Sequence, residues 1–333
     1  MKARVIKEVK ARIQRQRRIG ADAFRLRLFC PEIARWAQPG QFIMLRVSER
    51  RDPFLRRPFS FSRIFPPGGK IRRGEEEGTL EICYQVVGKG TSLMTQLREG
   101  QRLDVLGPLG NGFWEVEGRQ RAILVGGGIG IAPLIAWGEK LHGRQRKKKK
   151  SSKNPEKASE VHVLIGGKSR EKILGMNEFR RMGLEPQVSS EDGSLGMKGV
   201  ATDLLERELL TQEHTSVALY ACGPMPMLAR VAQIADQFDL PCQVLMESRM
   251  ACGVGACLGC AVKIRDEDSK KISKTEELTP DRENISCESE GPGSKRAFPK
   301  GSVMPEISEV LSFRYARACT EGPVFEARKI IWE

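Results

Sequence analysis

The chain has 333 residues, 40% of them hydrophobic, enough for two or three domains with their own cores, which excludes a small scaffold dependent on covalent staples. An odd number of cysteines, nine, and no N-terminal apolar stretch with a small-residue cleavage site argue against secretion and predict a reducing, cytoplasmic setting, while no run nears the roughly 20 apolar residues that cross a bilayer. The net charge of +14 sits in Lys2–Arg18 and Arg144–Lys157; the second stretch has no aromatic residues and no apolar period, so it reads as a solvated loop, and neither nucleic acid nor a membrane is an expected partner.

From Val5 to about Glu117, the β-type runs FRLRLF, GQFIMLRV, TLEICYQVV and RLDVLG are broken by Pro-Gly, Gly-Gly and Gly-Pro turns, the punctuation of an antiparallel barrel or sandwich. Within this region RRPFSFS, Arg56 to Ser62, follows a strand-like run. Arg57 can pair with a pyrophosphate, and Ser60 can hydrogen-bond the N5 edge of a flavin ring. Gly88-Lys89-Gly90-Thr91 opens a short helix, TSLMTQL, whose N-terminus with small residues suits an anion.

Near Arg121 the pattern changes. AILVGGGIG is a buried strand running into a glycine turn, and APLIAWGEKLH is a helix with Pro133 in its first turn. VHVLIGG, PQVSS and VALYACG are further strands, with NEFRRMG, ATDLLEREL and MPMLARVAQIADQF as helices between or after them. Strands alternating with helices imply a doubly wound parallel sheet. Gly126 to Gly130 joins strand to helix, where glycines permit close approach of a phosphate, but the third glycine of G-x-G-x-x-G is replaced by Ile131, which argues against a conventional dehydrogenase. Cys222-Gly223-Pro224 ends an apolar strand and puts a small polar residue at the ligand-binding edge of the sheet.

The third region, from Met246, carries the densest chemistry. Cys252, Cys257 and Cys260 have the Cys-x4-Cys-x2-Cys spacing of plant-type [2Fe-2S] proteins, with Gly253, Gly255 and Gly259 supplying the freedom to curl around a cluster. Zinc would want paired Cys-x2-Cys or Cys/His ligands, and His142, His162 and His214 are all far away in sequence. Two cysteines remain as candidates for a fourth ligand. Cys319, in the apolar stretch FRYARACTEGPVF, is expected; Cys287 is the alternative, in a polar, aperiodic insertion spanning about 265–307.

Taken in order, RRPFSFS, YQVVGKGT, LGPLGNGF, LVGGGIGIAPL, YACGPMPML, ESRMACGVGACLGCAV and YARACTEGPVFEA resemble the ferredoxin-NADP reductase superfamily, and more closely the electron-transfer subunits of class 1B dihydroorotate dehydrogenase. The resemblance implies an α/β plus all-β chain with three parts. These are an FAD-binding antiparallel β-barrel over 1–117, an NAD-binding doubly wound domain over 118–245 with a basic loop at 143–159, and a small [2Fe-2S] domain over 246–333. It places FAD against Arg57, Pro58, Phe59, Ser60, Cys83, Tyr84, Gln85, Gly90 and Thr91. It places NADH against Gly127, Gly128, Gly130, Cys222, Gly223 and Pro224, and the cluster on Cys252, Cys257, Cys260 and Cys319. The implied partner is an FMN-containing dihydroorotate dehydrogenase catalytic subunit, in a heterotetramer of two of each, serving pyrimidine synthesis. A diaphorase subunit of a soluble hydrogenase or of a ferredoxin-dependent NAD(P) oxidoreductase is the alternative. This chemistry needs no catalytic acid–base pair, and the sequence offers none.

Overall fold

The computed structural model describes residues 5–49, 51–69, 75–151, 160–211, 216–266 and 312–332, without the side chains of 145–151. Among these residues β1 (Lys7–Arg18), β2 (Ala23–Phe29), β3 (Phe42–Leu45), β4 (Arg57–Phe65), β5 (Thr79–Gln85) and β6 (Arg102–Leu109) form a closed antiparallel barrel. Their order is β1-β2-β5-β4-β3-β6, with β6 pairing back to β1. Alternation builds its core: Ala11, Ile13, Leu26, Leu28, Leu80 and Ile82 are buried inside, while the Lys and Arg residues of β1 point outward. Two helical segments, α1 (Pro31–Ala34) and α2 (Lys89–Met94), lie in the barrel's connections.

Two features differ from the sequence-based expectation. The motif expected to follow a strand is for the most part a strand itself, β4, and the basic N-terminal stretch supplies β1. Both strands carry charge on their outer face, which masks the period-2 signal.

The second body contains β7 (Arg121–Gly127), α3 (Ile131–Ser151), β8 (Glu160–Gly167), α4 (Met176–Met182), β9 (Gln187–Ser190), β10 (Met197–Lys198), α5 (Ala201–Thr211), β11 (Val217–Cys222), α6 (Met225–Gln237) and β12 (Cys242–Leu245). The strands run parallel in the order β10-β9-β8-β7-β11-β12. Residues alternate between two cores: Ile123, Leu219 and Val244 pack with α5 and α6, and Leu124, Ala218 and Tyr220 with α3 and α4. Helices thus cover both faces, as expected for a doubly wound sheet.

The expected loop at 143–159 begins as helix, since α3 continues to Ser151; residues 152–159 lie outside the described part. Lys, Arg and Gln are good helix formers, and extending an anchored helix needs no new nucleus.

After the cysteine loop, β13 (Ala261–Arg265) and β14 (Phe313–Arg317) form an antiparallel hairpin. The chain then returns as β15 (Val324–Glu326), which joins the large sheet antiparallel to β12. The polar insertion falls almost wholly on 267–311, outside the described residues, and Cys287 with it. No helix among the described residues is long and apolar enough to cross a membrane.

Candidate functional site

A cleft opens where the barrel meets the C-terminal edge of the sheet. That edge is where open parallel sheets bind ligands. On the barrel side β4 contributes Pro58, Phe59 and Ser60, β5 contributes Cys83, Tyr84 and Gln85, and α2 contributes Thr91. Facing them are Gly130 from the turn after β7 and Cys222 from the end of β11. Nine of the residues singled out from sequence therefore share one surface.

The others lie next to it. Arg57 donates from Nη1 to the Leu55 carbonyl at 2.8 Å, and its Nε is 3.0 Å from the point where a side chain on Gly90 would begin. The Thr91 hydroxyl accepts from the Val87 and Gly88 amides at 2.9 and 3.2 Å, closing the first turn of α2. Gly127, Gly223 and Pro224 form the close contact between the turns after β7 and β11, while Gly128, at φ +55°, faces open space. A Cβ on Gly130 would stand 2.6 Å from Gly223 Cα and 2.7 Å from the Cys222 carbonyl oxygen. Both obstacles are backbone, so only glycine fits there.

Several further lining residues were not among the site residues expected from sequence: Phe42, Ile129, Ala132 and Pro133, the segment Leu245 to Ser248 with Met250, and Pro323. Glu247 is the ionisable one among them. Solvent reaches it through the cleft, and the surrounding walls desolvate its carboxyl and raise its pKa. Burial likewise raises the Cys83 and Cys222 thiols, so both are neutral at pH 7.

Five residues beyond Glu247 the chain enters the cysteine loop. A side chain on Gly253, at φ +73°, would stand 2.6 Å from Met44 Cγ, so the loop presses onto the barrel at β3 and β6. The thiols form two pairs, Cys252 with Cys257 and Cys260 with Cys319. Cys252 lies near the surface, where burial opposes ionisation, but the Val254, Cys257 and Ala256 amides and the Cys257 thiol bring its pKa down to about 6. Cys260 and Cys319 are 2% and 1% exposed. The Cys319 amide donates to Cys260 Sγ at 3.4 Å, and burial with the neighbouring Cys260 pushes the Cys319 thiol up to about 12.

The hairpin explains how residues 59 positions apart meet. Ala261 pairs with Arg317 at the end beside the cysteines, and Arg265 pairs with Phe313 at the far end. The register therefore holds Cys260 and Cys319 together at the near end of the hairpin. No three His, Cys, Asp or Glu side chains among the described residues gather tightly enough to hold one metal ion.

Residues 247–275 match the iron-sulfur cluster binding domain of dihydroorotate dehydrogenase B. A Desulforamulus reducens protein named dihydroorotate dehydrogenase B (NAD(+)), electron transfer subunit, is 31% identical over 95% of both chains. Its namesake from Caldanaerobacter subterraneus subsp. tengcongensis is 32% identical over 98% of this chain and 99% of that one. Among solved structures, an NADH-dependent reduced ferredoxin-NADP oxidoreductase superposes with a TM-score of 0.67 at 24% identity, covering 97% of this chain and 90% of that one. The ferredoxin reductase of carbazole 1,9a-dioxygenase gives 0.54 at 18% identity, over 71% and 67%. Both structural likenesses show the fold.

Proposed function

Since the chain belongs to the family of dihydroorotate dehydrogenase B electron transfer subunits, we propose that it moves electrons between NADH and an FMN-containing dihydroorotate dehydrogenase catalytic subunit, in cytoplasmic pyrimidine synthesis, as a heterotetramer of two of each. Bound at the residues below, FAD and a [2Fe-2S] cluster would supply the conversion of a two-electron hydride transfer into single-electron steps.

The donor set fits these groups. A two-iron cluster takes four thiolates, two on each iron, which suits the pairs Cys252/Cys257 and Cys260/Cys319. The backbone amides of Val254 and Cys319 already point at the Cys252 and Cys260 sulfurs, the kind of contact that stabilises thiolate and tunes a cluster. In the cleft, Pro58 to Ser60 and Cys83 to Gln85 offer a wall for the flavin ring, with Arg57 beside it for the pyrophosphate. Gly127, Gly128, Gly130 and Cys222 to Pro224 form the nicotinamide side, where glycine backbone lets a dinucleotide approach closely. No side chain has to shuttle a proton to the nicotinamide; the residues bind, orient and exclude solvent.

The observation that carries this reading is continuity. The segment Leu245 to Met250 lines the cleft and leads directly into Cys252. One wall therefore serves both redox sites.

The test is to purify the protein anaerobically, measure flavin, iron and acid-labile sulfide, and add NADH with and without the FMN-containing catalytic subunit. Both chromophores should bleach, and orotate should be reduced only when the subunits are combined. Material without sulfide, or NADH-driven orotate reduction by the catalytic subunit alone, would refute the reading.

A further inference from the structure

The outer face of the barrel carries a row of charges that the proposed chemistry does not use. Strand pairing sets Arg25 opposite Cys83 and Arg27 opposite Glu81 across β2 and β5, and Arg63 opposite Glu81 across β4 and β5. Three contacts from this side of the barrel reach the second body. Asp22 Oδ2 meets Lys172 Nζ at 2.8 Å, Arg25 pairs with Glu178 of α4, and Arg63 meets Glu139 of α3 at 2.7 Å.

The Arg25–Glu178 pair is not a solvated surface pair, with side chains 10% and 13% exposed. Arg25 is 8% exposed and Glu81 1%, so removing one partner strands a charge away from water. The row also continues the barrel face that forms the cleft wall. Gln85, which lines the cleft, donates from Nε2 to Asp22 Oδ2 at 2.6 Å, and the Arg25 guanidinium contacts the Cys83 thiol. On the other side, a side chain on Gly175, the residue before α4, would stand 3.0 Å from Ile131, which follows the glycine turn after β7. A chain of packed contacts therefore runs from Cys83 through Arg25 and Glu178 to the Gly128–Gly130 turn across the cleft.

We propose that Arg25 and Glu178 are positioning residues for electron transfer between nicotinamide and flavin: their buried pair keys α4 and the glycine turn to the strand bearing Cys83 to Gln85 and so fixes the separation across the cleft. The inference rests on the cleft being the flavin site. An ion pair suits this task because it has one geometry, whereas two apolar faces can slide past each other. Misplacement by about 1 Å can slow a reaction on the order of a hundredfold.

The test uses the full-length holoprotein and anaerobic stopped-flow bleaching of the flavin by NADH. Arg25→Met and Glu178→Gln should slow bleaching by at least about tenfold, with half-saturating NADH and FAD content within about twofold of the parent; Arg25→Lys should recover part of the rate. A single change can unfold the protein by leaving a buried charge unpaired, so the double variant Arg25→Met/Glu178→Leu removes both charges. It should fold, keep its FAD and remain slow. Backbone hydrogen exchange should quicken in β2 and α4 and nowhere else. A double variant at parental speed, a loss of rate that merely follows lost FAD, or unchanged exchange in β2 and α4 overturns the proposal. Parent protein that NADH fails to bleach would instead overturn the functional reading beneath it.

Discussion

The cysteine loop and the cleft beside it are built in opposite ways. The loop takes three of its four sulfurs from nine consecutive residues, so its shape is local and its tolerance for change is small. The cleft collects residues from β3 to Pro323, each contributing one edge or one backbone approach. A site of the first kind fails completely when one residue is lost, and a site of the second kind fails by degrees.

The sharpest way to break that contrast is at the fourth sulfur. Cys319→Ser should reduce iron and sulfide to background as fully as Cys260→Ser, while Cys287→Ser leaves both at the parental level; inductively coupled plasma spectrometry and visible absorbance read the result. Equal loss in Cys287→Ser would return the ligand to the insertion.

The cleft should respond more gently. Gly130→Ala pushes a methyl group against the Gly223 backbone, and half-saturating NADH should rise by about tenfold with FAD still bound. Steady-state kinetics with an artificial acceptor measures this, and an unchanged value would show that the contact has slack.

The smallest effect concerns Glu247. A carboxyl whose folded pKa exceeds its unfolded value keeps a proton that the unfolded chain gives up, so it is neutral to stability in acid and subtracts from it as pH rises above about 4. Glu247→Gln should match the parent near pH 4 and melt about 1–2 °C higher at pH 7. Differential scanning calorimetry at the two pH values checks the sign.

Legibility followed the same division. The Cys-x4-Cys-x2-Cys loop and the apolar strands β8 and β11 stand out because each is written in neighbouring residues. β1 did not, because Lys10, Arg12 and Arg15 on its outer face drown the alternation of Ala11 and Ile13. The extension of α3 has no apolar residues to give a period, yet an anchored helix continues through it. Arg25, Arg63, Glu139 and Glu178 look like ordinary surface charges in the sequence, and only the docking of barrel on sheet buries them together. Glu247 was silent for a related reason: the walls of the cleft it lines come from β3, β4 and β11, far away along the chain.

The hairpin β13–β14 acts as a zip with its slider parked at the cysteine end. Its far end, at Arg265 and Phe313, is the place to attach a fluorescent domain or an affinity handle, since it is four strand residues removed from the end that carries Cys260 and Cys319. Engineers wanting to wire this protein to an electrode or a foreign acceptor would start there.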